Sequence, residues 1–219
     1  MSGNKLSKEK LNVSLIKIAT ILNKHKFNKW FIAYGTLLGI VRNKSCIDGD
    51  DDIDIICDIN DYEKLKDILK KEGFEFDFGY EINNSKLILK TKESKDLASI
   101  DFYMSEVDAK GNFNDLWEKV IWSNCYLKNS EEFIKINWKD TILNLPNNYS
   151  NKLKKRYGFF WRIPQKNKGN RTYKQSKFIK LLLKIYNELP FEIKTKLKKF
   201  IIKRNFLYKF IKVRSSTKV

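Results

Sequence analysis

A single histidine, His25, stands in 219 residues. Its isolation argues against Ser-His-Asp or Cys-His catalysis and against a zinc centre. The three cysteines, Cys46, Cys57 and Cys125, are odd in number and form no CxxC pair. They read as buried or incidental thiols of a reducing compartment. No run of 18 apolar residues occurs, so no transmembrane helix is expected. The first residues lack the order of a signal peptide, because Asn12, Ser14 and Lys17 interrupt the apolar positions and no small-residue cleavage site follows. A cytoplasmic protein is expected, whose chemistry falls to carboxylates, a metal ion, or backbone and basic groups.

Acid is nearly missing from the last third of the chain. Residues 152–219 hold 22 Lys and Arg against Glu188 and Glu192 alone, whereas residues 1–151 hold 22 against 24. The formal net charge of +18 is thus a property of the tail. Such a tail suits an anionic partner: a membrane surface, a nucleic acid or an anionic polymer. Hydrophobic residues at 42% argue for a folded chain, and its length suits one ordinary domain, with room for a small appendage.

Leu11, Leu15, Ile18, Ile21 and Leu22 recur at helical spacing within residues 5–26. WFIAY (30–34) reads as a strand, and Gly35-Thr36 as the turn that opens a helix through GTLLGIVRNK. DIDIIC (52–57) reads as a strand and residues 61–73 as a helix closed by Gly73. Further strands are expected at 74–78, 86–92 and 97–104, then short strands and turns over 112–145. A helix is expected over 147–157, irregular chain over 157–164, and two tail helices over 177–189 and 191–213 with Pro190 between them. The expected fold class is α/β (α+β): a small mixed sheet flanked by helices, with a basic helical C-terminal extension. The expected division is 1–169 and 170–219.

The acids have a pattern. Asp48, Asp50, Asp51, Asp52 and Asp54 fall within seven positions of a chain that is otherwise rich in lysine. A solvated acidic loop would give charge without pattern, but Asp52 and Asp54 alternate with Ile53 and Ile55, so the two acids share one strand face while the isoleucines face the core. Paired carboxylates on a half-buried face repel and lose hydration. A divalent cation relieves both costs, and Mg²⁺ commonly rests on one or two carboxylates plus substrate phosphates. Asp101, bracketed by Ile100 and Phe102, offers a third acid from a neighbouring strand. Upstream, free N–H groups where Gly35-Thr36 opens a helix suit phosphate.

These residues carry a resemblance. YGTLLGIVRNKSCIDGDDDIDI (34–55) resembles the signature of the LicD/fukutin family within the nucleotidyltransferase-fold superfamily. LASIDFYM (97–104) and LPNNYSNKLKKRYGFFWRIP (145–164) resemble its later segments, and residues 170–219 are not covered. The resemblance implies a nucleotidyltransferase-like fold. It implies transfer of a phosphorylated group from a CDP-linked donor to a hydroxyl on a carbohydrate acceptor, by default phosphocholine from CDP-choline to a cell-surface glycan or its lipid-linked precursor. Carried over by position, Asp52 and Asp54 bind Mg²⁺ (or Mn²⁺), and Asp101 helps bind it or takes the acceptor's proton. Gly35 and Thr36 hold donor phosphate, Arg42 neutralises it, and Asp50 and Asp51 support the site from its edge. Asn43 and Asp48-Gly49 stand where the family often has His and Pro-Trp.

Two other readings stay open. One keeps the fold and transfers a nucleoside monophosphate to a small molecule, RNA or protein. The other is a nucleic-acid-binding module with a degenerate site, disfavoured by the intact acids. The Lys-rich face of residues 177–214, set against Phe200, Ile201 and Leu207, suits a helix on an anionic membrane and implies peripheral attachment at the inner face. Lys154, Lys155, Arg156, Arg162 and Lys166 suit either donor phosphate or an anionic acceptor.

Overall fold

DIDIIC forms an inner strand of a sheet, covered on both faces. The computed structural model describes residues 5–77 and 86–164. In chain order these form α1 (Lys8–Lys24), β1 (Trp30–Ile32), α2 (Tyr34–Asn43), β2 (Asp52–Asp58), a 3-10 turn (Ile59–Asp61) and α3 (Tyr62–Lys71). There follow β3 (Ile88–Lys90), β4 (Ser99–Val107), β5 (Phe113–Asp115), β6 (Val120–Trp122), β7 (Ile134–Trp138), β8 (Thr141–Leu145) and α4 (Tyr149–Tyr157). The described residues up to Trp161 belong to one compact unit. The fold is mixed α/β.

The main sheet runs β1-β2-β4-β5-β6, with β3 also paired to β4. β2 lies antiparallel to β1 and parallel to β4. Parallel neighbours need a crossover, and the 3-10 turn, α3 and β3 occupy that connection. The first half of β4 pairs with β3 and its end with β5. β7 and β8 form a separate hairpin. Trp138 Nε1 ties that hairpin to the end of α2 by donating to the Lys44 carbonyl at 2.9 Å.

Both faces of β2 are covered: Ile53, Ile55, Ile56 and Cys57 are fully buried, and Asp54 is 7% exposed. The expectation of a half-buried strand therefore understated the burial of the acids. α1 buries Leu11, Leu15, Ile18 and Leu22 at helical spacing, and its N-cap Ser7 accepts the Lys10 N–H. Asn12 and Ser14, which break the apolar stripe, bind other segments. Asn12 Oδ1 accepts the Cys46 N–H and Ser14 Oγ accepts the Ala98 N–H. Each polar group is matched by a backbone donor, which is why burial is tolerated.

Three expectations shift. The turn into α2 sits one residue earlier than Gly35-Thr36: Tyr34 is the first helical residue, at φ 43. Residues 74–77 give no strand, only an isolated bridge from Phe76 to Thr91. Helix α4 begins at Tyr149, after Asn148 at φ 55, rather than at 147. The expected boundary at 169/170 and the tail helices over 177–189 and 191–213 lie outside the described residues. No helix among the described residues is long and apolar enough to cross a membrane.

Candidate active site

The parallel register of β2 and β4 sets Asp52 beside Ser99 and Asp54 beside Asp101. The third acid therefore stands next to the first pair, as the strand reading required. Asp54 is held from two sides. Its Oδ2 accepts the Gly35 N–H at 2.9 Å and its Oδ1 accepts the Tyr103 hydroxyl at 3.2 Å. Thr36 Oγ1 accepts the Asp54 N–H at 2.9 Å, so the opening turn of α2 is fastened to the acid strand twice. Gly35 is needed here for space: a Cβ would lie 2.5 Å from Asp50 Oδ2 and 3.3 Å from Asp54 Oδ2.

The loop before β2 brings more carboxylates inward than the sequence spacing suggested. Oxygens of Asp50, Asp51 and Asp52 lie within 4.8 Å of one another. The N-terminal segment fixes this loop, with Leu6 N–H donating to the Asp50 carbonyl and Gly49 N–H to the Leu6 carbonyl. Asp48 Oδ1 accepts the Lys8 N–H at the start of α1. Asp50 and Asp51, read from sequence as an outer edge, thus join Asp52 in a group with metal-ligand spacing.

Lys90 was not foreseen. From β3, opposite Asp101 in the antiparallel register, its ammonium lies 2.6 Å from Asp101 Oδ1 and 3.6 Å from Asp52 Oδ2. It supplies the positive charge between those two acids. Burial and the neighbouring Asp101 and Asp51 nevertheless push the Asp52 carboxyl up to about 7. Burial, with Asp52 and Asp50, holds the Asp54 carboxyl well above the usual range. Burial raises Asp101 too, against the pull of Lys90.

An aromatic layer backs the acids. Tyr34 packs edge-on against Tyr103 and Trp122, with ring centres 5.0 and 5.3 Å away. Its hydroxyl donates to the buried Asp115 carboxylate, whose other oxygen accepts the N–H groups of Trp117 and Glu118. Arg156 from α4 lies 4.1 Å above the Tyr34 ring. Burial pushes the neighbouring Tyr157 phenol up to about 12, and Asp54 and Asp50 add to that rise. Arg156 thus packs α4 onto the Tyr34 ring that backs the acids. Of these, Tyr103 had a legible signal: it stands two residues after Asp101, on the same strand face.

Arg42 is placed elsewhere. It sits in the last turn of α2, about 10 Å along the helix from Gly35. Its Nε is buried with no hydrogen-bond partner, and it forms no ion pair among the described residues. Among the described residues no hydrogen bond or ion pair joins it to the acids.

The donor set suits a hard cation. Every candidate ligand is a carboxylate oxygen, the chemistry preferred by Mg²⁺ and Mn²⁺, and an ammonium already occupies the charge-balancing position. The sign of the pH dependence follows. These carboxyls have higher pKa values folded than unfolded, so the folded protein holds extra protons; their stability contribution is intact below about pH 4 and is lost as pH rises through about 7. The melting temperature of metal-free protein, relative to that of Asp52→Asn, is expected to fall between about pH 5 and pH 7.5. Mg²⁺ should restore more stability at the upper end. Parallel melting profiles would show that Asp52 does not titrate with this sign.

No curated protein matches the chain. Among solved structures, the crystal structure of a lincosamide antibiotic adenylyltransferase, LnuA, with lincomycin bound, is similar over 83% of this chain and 96% of that one, with 14% identity and a TM-score of 0.47. The profile described as LicD/FKTN/FKRP, nucleotidyltransferase domain, matches residues 28–157, from just before β1 to the end of α4. That is more than half of the chain, and the protein belongs to the LicD/FKTN/FKRP family of nucleotidyltransferase domains.

Proposed function

We propose that this member of a phospho-group transferase family moves a phosphorylated group from a CDP-linked donor, by default phosphocholine from CDP-choline, to a hydroxyl of a cell-surface glycan or its lipid-linked precursor. The observation that carries the reading is the carboxylate group formed by half-buried Asp50–Asp52 with buried Asp54 and Asp101, backed by Gly35 at the opening turn of α2.

Asp52 and Asp54 would hold Mg²⁺ or Mn²⁺ with the help of Asp101, and Asp50 and Asp51, grouped with Asp52, would add carboxylates at the site's edge. The bound ion supplies positive charge where a transferring phosphate gathers negative charge on its oxygens. Gly35 and Thr36 set the acid strand and the donor phosphate in one frame. Arg42, whose buried Nε has no hydrogen-bond partner among the described residues, would meet an anion at the far end of α2. The acceptor oxygen forms a bond to the donor's distal phosphorus, the bond to the bridging oxygen breaks, and CMP leaves. The acceptor's proton passes to Asp101, whose carboxyl burial raises above its ordinary range. Peripheral attachment to an anionic membrane through residues 177–214 is part of this proposal and rests on their composition.

Calorimetric titration tests the reading: CDP-choline, CDP-ribitol, CDP-glycerol, CTP and ATP are added with Mg²⁺ to the full chain and to Asp52→Asn. One CDP-linked donor should bind with Mg²⁺ and lose binding in the variant. Binding of a triphosphate alone, with pyrophosphate rather than CMP released on turnover, would replace it by nucleotidyl transfer.

A further inference from the structure

The basic segment of α4 opens onto a cleft that the acid centre does not use. It has a volume of about 520 Å³ and lies between α4 and the turn after β6, within the size range of small-ligand sites. Helix α4 presents Asn151, Lys152 and Lys155 to it at positions i, i+1 and i+4, and its cap residue Asn148 joins them. Asn124 faces them from the turn. Phe159, 73% exposed, lines one side.

The lining is built rather than incidental. Lys152 is 4% exposed and donates to the Ser123 carbonyl at 2.7 Å, which fixes the ammonium in place and leaves it further donors. The Ser123 hydroxyl oxygen is buried and has no partner. Lys154 stands 4.8 Å over the Phe159 ring. Lys155 is exposed and forms no ion pair among the described residues. No Asp or Glu lines the cleft, so three lysines are left without a local counter-charge.

We propose that this cleft is a binding subsite for an anionic carbohydrate, the acceptor of the transfer reaction. A sugar ring offers an apolar C–H face to an aromatic plate and hydroxyls at its rim to amides, and Phe159 with Asn124, Asn148 and Asn151 supplies that combination. Phosphate or carboxylate groups on the glycan match Lys152, Lys154 and Lys155. A donor nucleotide fits less well. Its phosphates belong with the cation at the acids, and its nucleoside has no charge to meet three lysines. The cleft shares none of its lining with the partners of Asp54 and Asp101. Helix α4 serves both places: Lys155 opens to the cleft while the next residue, Arg156, lies over Tyr34 behind the acids. The acceptor role rests on the transferase reading; binding of the carbohydrate does not.

Protein-observed NMR titration of the full chain tests this with glucose 6-phosphate and hyaluronan hexasaccharide as anionic probes, and maltohexaose and inorganic phosphate as controls. Lys155→Glu and Phe159→Ala change exposed side chains, so both variants should fold. At least one anionic probe should shift resonances of residues 148–159, and each variant should weaken it about fivefold or more. Binding of CDP with Mn²⁺ should change less than about twofold. Silence from both anionic probes would overturn the proposal. So would equal binding of either control, which would mark a bare apolar plate or a simple anion site. Equal loss of CDP binding in the variants would assign the cleft to the donor instead. Failure of wild-type protein to bind CDP through Asp54 would sink the transferase reading and leave the carbohydrate result standing.

Discussion

Asp54→Asn is expected to lower transfer activity by about 10²–10³-fold, the scale seen when one preorganised electrostatic group is removed, while metal-free protein stays at least as stable as wild type. The two halves of this result have different causes. Asp54 is 7% exposed, and Asp52, Asp50 and Asp101 all disfavour its charge. Neutralising it removes repulsion that burial intensifies. The hydrogen bonds can survive, because an amide oxygen can still accept from Gly35 N–H and an amide NH₂ can donate to the Tyr103 oxygen in place of the present bond. The loss then falls on cation binding alone. Thermal melts with and without Mn²⁺ check it: the wild type should gain stability from the ion and the variant should gain little. A variant that melts far below wild type without metal would give Asp54 a structural role and remove the main support for a cation centre.

What the sequence made legible depended on range. DIDIIC announced its alternation within six residues, and the helix over 61–73 announced its amphipathic face and its Gly73 stop, so β2 and α3 could be read directly. Asp101 was legible because an isolated acid between Ile100 and Phe102 breaks an apolar strand. Lys90 was not: its meaning depends on the register of β3 against β4, which is a pairing energy between distant segments and leaves no mark in KLILK. The inward turn of Asp50 and Asp51 depends on hydrogen bonds between Leu6, Gly49 and Asp50, across a gap of more than 40 residues. Residues 74–77 mislead for a related reason. FEFD alternates like a strand, but beside Lys90–Lys92 it makes two backbone hydrogen bonds and a single isolated bridge, Phe76 to Thr91, too little pairing for a ladder. Local pattern proposes a strand, and a free edge decides it.

The same dependence on distant pairing makes Lys90 the residue whose loss should disturb the resting protein most. Lys90→Met leaves Asp52 and Asp101 without their counter-ion in a place where Lys90 itself is only 16% exposed. Removing one partner of a buried ion pair costs about 3–5 kcal/mol when the remaining charge stays ionised. Here the remaining charges have an escape. The Asp52 carboxyl already titrates near 7, and without the ammonium it rises further, so one carboxyl takes up a proton as pH falls. The variant should therefore be severely destabilised at about pH 8 and only mildly at about pH 5. A divalent cation replaces the missing charge, so Mn²⁺ should raise the melting temperature of Lys90→Met more than that of wild type, and direct titration should show tighter Mn²⁺ binding because one positive neighbour is gone. Gln at the same position separates charge from shape: it can still reach Asp101, but it should behave as Met does toward Mn²⁺. If Mn²⁺ stabilises Lys90→Met less than wild type, Lys90 is helping to assemble the cation site rather than standing in for its occupant, and the acids must then be organised for the ion by the Lys90–Asp101 bond itself.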